Sequence, residues 1–486
     1  MKRFLIILFS IVIASINSVA QNSLIDEYRK FNQQATKRYT DFRDECNNKY
    51  VEFLKQSWEY YKAAPVIPVP KEEEVPPVVI IEDERTTPIE GNVLPHDEVV
   101  PIPEVEPQPQ PVEPIKPVPV IAEKWFEFPF FNTILKVRAD DTHKFRLTSL
   151  NGEHIAETWE ILMTDKYDNM LVDCLSIREE YKLCDWAYLL MLLHFSGEFL
   201  ESENEMILLT AYLYSQSGYK MRLGLDSSGL TILFGTKHQI YGLPYFDIDG
   251  DYYYPLNGGS DEMQIADFAF PNEKHLSLVV TNEPMLTRKE SEPRKYIGEG
   301  YKTEAMCTVN TNLVEFFDSY PSSQLDNNPL TRWAIYANTP LDSSIKQSLY
   351  PALSKAMDGK SYPEAADILL DFVQTAFVYE YDDKVWGGDR PFFSEESLYY
   401  PYCDCEDRSI LFSRLVRDLL HLDVILVYYP GHLATAVKFN EQLKGDYIQL
   451  GDDKYLVCDP TYIGAYIGET MPDMDNKTAK VILLKQ

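Results

Sequence analysis

The chain has 486 residues and a formal net charge of −31. This length exceeds what one hydrophobic core supports, so we expect two or more domains. The acidic excess argues against a nucleic-acid partner, which requires a basic surface, and against electrostatic docking on anionic lipid. The seven cysteines are too few, and odd in number, for a disulfide framework in a chain of this length.

Residues 1–20 are predicted to be a signal peptide. Lys2 and Arg3 precede an apolar stretch from Phe4 to Ile16, and Ser18-Val19-Ala20 forms a small-residue cleavage site. The apolar stretch is short for a membrane span, and no later segment has eighteen uninterrupted apolar residues. We therefore expect a periplasmic or extracellular protein without a membrane span after cleavage. An uncleaved anchor is the alternative.

Residues 21–63 are predicted to form one long amphipathic helix. Its aromatic residues repeat every eleven positions, which is close to three turns of a straight α-helix. The repeating tyrosines are Tyr28, Tyr39, Tyr50 and Tyr61. This stripe either packs on the rest of the protein or mediates self-association or partner docking through residues 24–62.

Residues 64–123 are dominated by proline, glutamate and valine, and include the run PEVEPQPQPVEPIKPVPV. Proline favours extended polyproline II and like charges repel, so the composition predicts a semi-rigid linker. Recognition by an aromatic groove is the alternative. Alternating apolar runs from Trp125 and later helical periodicities predict an α+β domain over residues 124–300 and a second over 301–486.

The candidate catalytic residues lie in the last third of the chain. Cys405 opens a helical apolar pattern, and a helix N-terminus favours the thiolate that attacks carbonyls. His432 enters a strand after Gly431 and is placed to serve as general base and then acid. Asp459 ends the strand KYLVC and can orient the imidazole. The Cys405 backbone N–H and a second, unidentified donor would hold the oxyanion.

The segment DCEDRSILFSRLVRDL, a Gly-His opening a strand, and a strand ending in Asp-Pro-Thr resemble the transglutaminase-like superfamily. They are most similar to the bacterial transglutaminase-like cysteine peptidases, and Trp386 matches the tryptophan-bearing loop of that pattern. The resemblance covers roughly residues 363–465. It implies a papain-like carboxyl-terminal domain, with a helix packed on an antiparallel sheet, and the triad Cys405, His432 and Asp459.

The resemblance also bears on metal binding. Some periplasmic members of that group bind calcium through acidic residues beside the nucleophile, and Asp404 and Glu406 match those positions. A regulatory Ca²⁺ is one interpretation, and capping of the helix by Asp404, Glu406 and Asp407 is the other. No other cofactor is expected.

An internal similarity links residues 184–256 with residues 363–460. The alignment places Ser202 opposite Cys405, Gly229 near the histidine position, and Tyr254 or Pro255 opposite the aspartate. We therefore hypothesise that residues 124–300 contain a degenerate transglutaminase-like copy without a triad.

The sequence predicts an exported cysteine hydrolase that acts on protein or peptide amide bonds through a thioester, most simply a peptidase. Protein cross-linking by the same thioester is one alternative, because the choice of acceptor depends on the pocket. A non-enzymatic envelope scaffold with a vestigial triad is the other.

Overall fold

A computed structural model describes residues 42–71, 75–80, 92–93, 99–104 and 124–486. The predicted signal peptide and residues 21–41 of the predicted long helix lie outside the described residues. The α-helices are α1 (42–54), α2 (Gly152–Leu162), α3 (Asp168–Glu180), α4 (Asp185–Phe199), α5 (Glu203–Gln216), α6 (Thr311–Asp318), α7 (Thr331–Asn338), α8 (Ser343–Ala356), α9 (Tyr362–Thr375), α10 (Asp382–Val385), α11 (Ser394–Tyr399) and α12 (Cys405–Leu420).

The strands complete a mixed α+β fold. They are β1 (Glu59–Lys62), β2 (Asn92–Val93), β3 (Val99–Val100), β4 (Trp125–Phe130), β5 (Thr133–Arg138), β6 (Met221–Asp226), β7 (Gly229–Thr236), β8 (Gln239–Ile240), β9 (Phe246–Ile248), β10 (Asp251–Pro255), β11 (Glu262–Ala266), β12 (Arg294–Gly298), β13 (Thr303–Cys307), β14 (Ser323–Gln324), β15 (Val378–Tyr379), β16 (Tyr402–Cys403), β17 (Val424–Tyr429), β18 (His432–Lys438), β19 (Tyr447–Leu450), β20 (Asp453–Cys458) and β21 (Lys480–Leu483). Within the described ranges, no helix combines the length and apolarity needed to cross a membrane.

Two sheets organise the molecule. The first sheet has the order β1-β11-β6-β7-β10-β9, and the second has the order β2-β19-β20-β18-β17-β21-β3. One apolar core runs from α2–α5 and the first sheet through α6 and α7 to Ile410 and Leu426 in the second half. A separate core lies between the second sheet and helices α8, α9 and α12. The two halves are therefore joined by continuous packing.

The two halves share one topology. In each, a helix (α5 or α12) precedes five strands whose order in the sheet is fifth, first, second, fourth and third. All neighbouring pairs among these five strands are antiparallel in both sheets. The helix-and-sheet correspondence required by the internal similarity is therefore present.

Helix α12 follows directly from its sequence. Asp404 precedes the first turn with extended backbone, and its N–H donates to the Asp407 carboxylate at 3.3 Å. The apolar face of the helix, including Leu411 and Leu415, is buried in the second core. The helix ends at Leu420, because the left-handed φ of 53° at the following residue, His421, stops the helical repeat.

Two predicted boundaries need correction. The helix predicted over residues 21–63 ends at residue 54, and Glu59–Lys62 form a strand paired with β11. Tyr50 is buried against Trp159, which supports packing of the stripe on the protein over its described part. The boundary at residue 300 falls inside the β12–β13 hairpin, whose Tyr296 packs in the second core.

The predicted linker over residues 64–123 is not a free spacer in its described parts. Strands β2 and β3 pair in parallel with β19 and β21 at opposite edges of the second sheet. Other described residues of the linker form backbone hydrogen bonds with the first half and with the second half. Backbone hydrogen bonds to sheet edges override the extended, solvated state that proline-rich composition favours.

Candidate active site

Cys405 occupies the first position of α12, as the sequence predicts, and is only 3% exposed. Its thiol donates a hydrogen bond to Glu406 Oε2 at 3.3 Å and accepts one from the Leu433 backbone N–H. Leu433 is the second residue of β18, so the helix tip is held against the strand that carries the predicted base. This contact joins Cys405 to the histidine-bearing strand.

His432 and Asp459 form the second part of the predicted triad. His432 begins β18 and Asp459 follows β20, which pairs with β18 in the sheet. His432 Nε2 lies 2.8 Å from Asp459 Oδ2, and Asp459 Oδ1 accepts the Thr461 N–H at 2.9 Å. The imidazole is thereby oriented through one nitrogen, which leaves Nδ1 for other chemistry.

A cavity of about 300 Å³ brings the thiol and the imidazole together. Cys405, Glu406, His432 and Leu433 form one part of its wall, and Trp333 lies in the same wall. Within the described structure, His432 Nδ1 has no hydrogen-bond partner, since the thiol donates to Glu406 instead. Cys405 and His432 therefore line one cavity without a direct hydrogen bond between the thiol and the imidazole.

The charge environment of Cys405 differs from the one expected at a helix N-terminus. Burial, followed by the neighbouring carboxylates of Glu406 and Asp404, raises the pKa of the Cys405 thiol well above its ordinary value. The helix N-terminus opposes this effect but lies beside two acids. The thiol is therefore protonated at neutral pH in this state and requires a base or a compensating cation.

Carboxylates surround the helix tip. Asp404 and Glu406 present oxygens within 4.8 Å of the Cys405 sulfur, and Glu406 also lies within that distance of Asp382 and Asp389. Asp404 is buried at the start of α12, where it forms a capping box with Asp407. Burial and then Glu406 raise the pKa of Asp404 well above its usual range. Asp382 and Asp389 therefore extend the acidic pair, Asp404 and Glu406, that the sequence predicts.

The sequence did not single out Trp333. This residue lies in α7, and its ring stacks under the Arg332 guanidinium at 4.0 Å from the centroid. Its buried Nε1–H lacks a hydrogen-bond acceptor in the part of the chain that the structure describes. Trp386, which the family resemblance singled out, is 37% exposed and lies outside the cavity wall. A buried N–H aimed at no acceptor is a signal that only a structure provides.

The first half carries a corresponding but altered set of residues. The β6–β7 hairpin pairs Asp226 with Gly229, whereas the β17–β18 hairpin pairs Tyr429 with His432, so Gly229 stands at the histidine position. The Leu230 N–H donates to Asn204 Oδ1 at 2.8 Å, as the Leu433 N–H does to Cys405. Asn204, rather than Ser202, therefore corresponds to the nucleophile.

The aspartate position is also shifted from the sequence alignment. Extending the β7–β10 register by two residues past Pro255 places Asn257 where Asp459 stands, rather than Tyr254 or Pro255. A Cβ on Gly229 would lie 2.5 Å from Asn204 Oδ1, and the φ of Gly229 is +131°, so a side chain there would strain the backbone and require Asn204 to move. The first half therefore retains the topology, with Asn204, Gly229 and Asn257 in place of the nucleophile, base and acid.

Helix α11 introduces a pH-dependent element near the site. Burial raises the pKa of Glu395 to about 8, and its Oε2 has no hydrogen-bond partner within the described ranges. Between the pKa of the unfolded chain, about 4.3, and 8, the folded state keeps a proton that the unfolded state releases. The free energy of unfolding therefore falls as pH rises through this window.

We expect Glu395→Gln to raise the free energy of unfolding at pH 8 by about 4–5 kcal/mol, with little change at pH 4. Gln retains the acceptor for the Asp342 N–H, which Glu395 Oε1 binds at 2.7 Å. Urea unfolding at both pH values measures this, with the exposed Glu290→Gln as control. Equal effects at pH 4 and pH 8 would contradict the assignment.

Comparison with known proteins does not assign the chain to a family. No protein-family model, curated protein or solved structure matches the chain.

Proposed function

We propose that the protein is a cysteine hydrolase that cleaves protein or peptide amide bonds. The observation that carries the proposal is the meeting of three residues far apart in sequence. Cys405 and His432 share one cavity, and His432 Nε2 is held by Asp459 at 2.8 Å. Enzymes that transfer acyl groups use this arrangement, in which an acid orients the base and the base lies beside the nucleophile.

The chemistry follows from the positions of these atoms. His432 Nδ1 removes the thiol proton as the sulfur attacks the substrate carbonyl, and Asp459 stabilises the imidazolium that forms. His432 then protonates the leaving amine, which leaves a thioester on Cys405. Water, activated by His432, hydrolyses the thioester and restores the thiol.

The oxyanion formed during attack needs hydrogen-bond donors. The Cys405 backbone N–H at the start of α12 is one donor, as the sequence predicts. We assign the second role to Trp333 Nε1–H, because it is buried in the cavity wall and has no other acceptor in the described structure.

The acidic residues around the nucleophile fit a divalent cation such as Ca²⁺. Carboxylate oxygens are its preferred ligands, and Asp404, Glu406, Asp382 and Asp389 present them close together. When bound, the cation supplies positive charge that compensates the buried carboxylates. Asp404 and Asp407 also form a capping box at the start of α12, so the same carboxylates combine helix capping with a cation-binding arrangement.

Calcium at about 100 times its dissociation constant should raise the free energy of unfolding by about 2.7 kcal/mol. Glu406→Gln should abolish this increase because Glu406 belongs to both acidic groups. Asp383→Asn is the matched control, since Asp383 neighbours Asp382 without belonging to either group. Thermal unfolding with calcium or chelator measures the effect, and an unchanged wild-type transition would exclude the site.

The proposed activity is tested by incubating the full chain with a peptide library and identifying new termini by mass spectrometry. We expect new termini that disappear after iodoacetamide has alkylated Cys405. A fluorescent primary amine in a parallel reaction reports transamidation if it becomes attached to glutamine side chains. New termini that persist after complete alkylation would contradict a cysteine mechanism.

A further inference from the structure

Part of the predicted linker runs along the candidate active site. We call residues 65–71 and 75–80 the cleft segment. It follows β1, which belongs to the first sheet, and the Ile67 carbonyl accepts the Gly242 N–H at 2.9 Å. From this anchor on the first half, the chain passes to the cavity of the second half. The cleft segment therefore links the two sheets by way of the catalytic residues.

The middle of the cleft segment forms part of the cavity wall. Val69, Pro70 and Lys71 line the same cavity as Cys405 and His432. Lys71 Nζ lies 3.7 Å from Asp383 Oδ2, which places a positive charge at the acidic side of the cavity. A polypeptide substrate that offered a carbonyl to Cys405 would have to enter this same space.

Beyond the cavity, the cleft segment binds the loops that carry the triad. The Val75 N–H donates to the Gly431 carbonyl at 2.9 Å, next to His432. The Val78 carbonyl accepts the Ile463 N–H at 2.8 Å, and the Ile80 N–H donates to the Ile463 carbonyl at 3.0 Å. These bonds form a short extended pairing with the chain that follows Asp459.

Side chains of residues 78–80 alternate as in a bound strand. Val75, Val78 and Ile80 pack on an apolar patch formed by Tyr462, Ala465 and Met471. Val79, between two of the packed residues, is 61% exposed. Proteins bind extended peptides in this way: the peptide backbone pairs with a strand edge, and every second side chain enters an apolar patch.

We propose that the cleft segment is an intramolecular ligand of the substrate cleft, which competes with substrate and takes the path of an extended substrate. The proposal rests on the proposed function, because the cleft is defined by its triad. The cleft therefore recognises extended polypeptide with aliphatic side chains at alternate positions, and Cys405 is shielded until the segment leaves.

The test uses the full chain and the rate at which iodoacetamide alkylates Cys405. Val78→Asp combined with Ile80→Asp places two charges on the apolar patch and should release the segment. We expect Cys405 to react at least tenfold faster than in wild type. Val79→Asp is the matched control, since it adds the same charge on the exposed face and should leave the rate unchanged. A synthetic peptide of residues 65–80 should slow the double variant again, and a scrambled peptide should not.

Hydrogen exchange at the Val75 and Ile80 amides reports whether the segment has left. Lost protection with an unchanged alkylation rate would overturn the proposal, as would retained protection with a rate that rises equally in Val79→Asp. Retained protection and an unchanged rate in the double variant would also overturn it, because the packed face would then not hold the segment. Faster alkylation without any peptide hydrolysis would instead contradict the proposed function and leave the occupied cleft intact.

Discussion

Replacing Cys405 by Ala, or His432 by Gln, should lower kcat/KM for peptide hydrolysis by about 10⁴-fold or more. Cys405→Ala removes the nucleophile, and His432→Gln removes the base while keeping an amide that can donate to Asp459. Because the two residues act in one step, the double variant should be no less active than the worse single variant. Initial rates with the best library peptide measure these losses.

Two controls separate chemistry from folding. Cys403→Ala removes a buried thiol two residues away that does not line the cavity, and His421→Asn alters the residue that follows α12. Both should retain activity within about threefold, since neither group contacts the reacting atoms. Comparable loss in Cys403→Ala, with unchanged melting temperature, would remove the assignment of Cys405 as nucleophile.

Trp333→Phe should lower kcat by about 10²–10³-fold with little change in KM. The variant deletes the Nε1–H, while the phenyl ring keeps its packing against Tyr428, whose ring centroid lies 5.4 Å away. A donor to the oxyanion acts mainly in the transition state, so its loss falls on kcat rather than on ground-state binding. Steady-state kinetics over a range of peptide concentrations separate the two constants.

Trp386→Phe is the matched control for Trp333→Phe. Trp386 also packs in an aromatic and cationic cluster, with Arg390 4.2 Å from its ring centroid, but it lies outside the cavity wall. Its replacement should leave kcat within about threefold. A rise in KM without a fall in kcat in Trp333→Phe would assign this tryptophan to substrate binding instead.

The sequence by itself was sufficient for features that depend on local pattern. The helix that opens at Cys405 follows from its apolar period and its acidic first turn, and Cys458 is buried on the opposite face of its strand from Asp459. The order of helix and strands in both halves was also readable, because each element has its own period. Strand register was needed to find which residues of the first half correspond to the triad. The sequence alignment placed two of these three positions wrongly.

Only the tertiary structure decided the features that depend on contacts between distant segments. The helix predicted to extend to residue 63 ends at residue 54, because Glu59–Lys62 pair with β11. The proline-rich chain forms backbone hydrogen bonds with Gly431 and Ile463. The direction of the pKa shift of Cys405 reverses the local expectation, because burial among carboxylates outweighs the helix N-terminus. Local sequence determines which backbone conformations have low free energy. Contacts with residues distant in sequence determine which groups are buried away from water. Those contacts close the cavity in which Cys405, His432 and Trp333 meet.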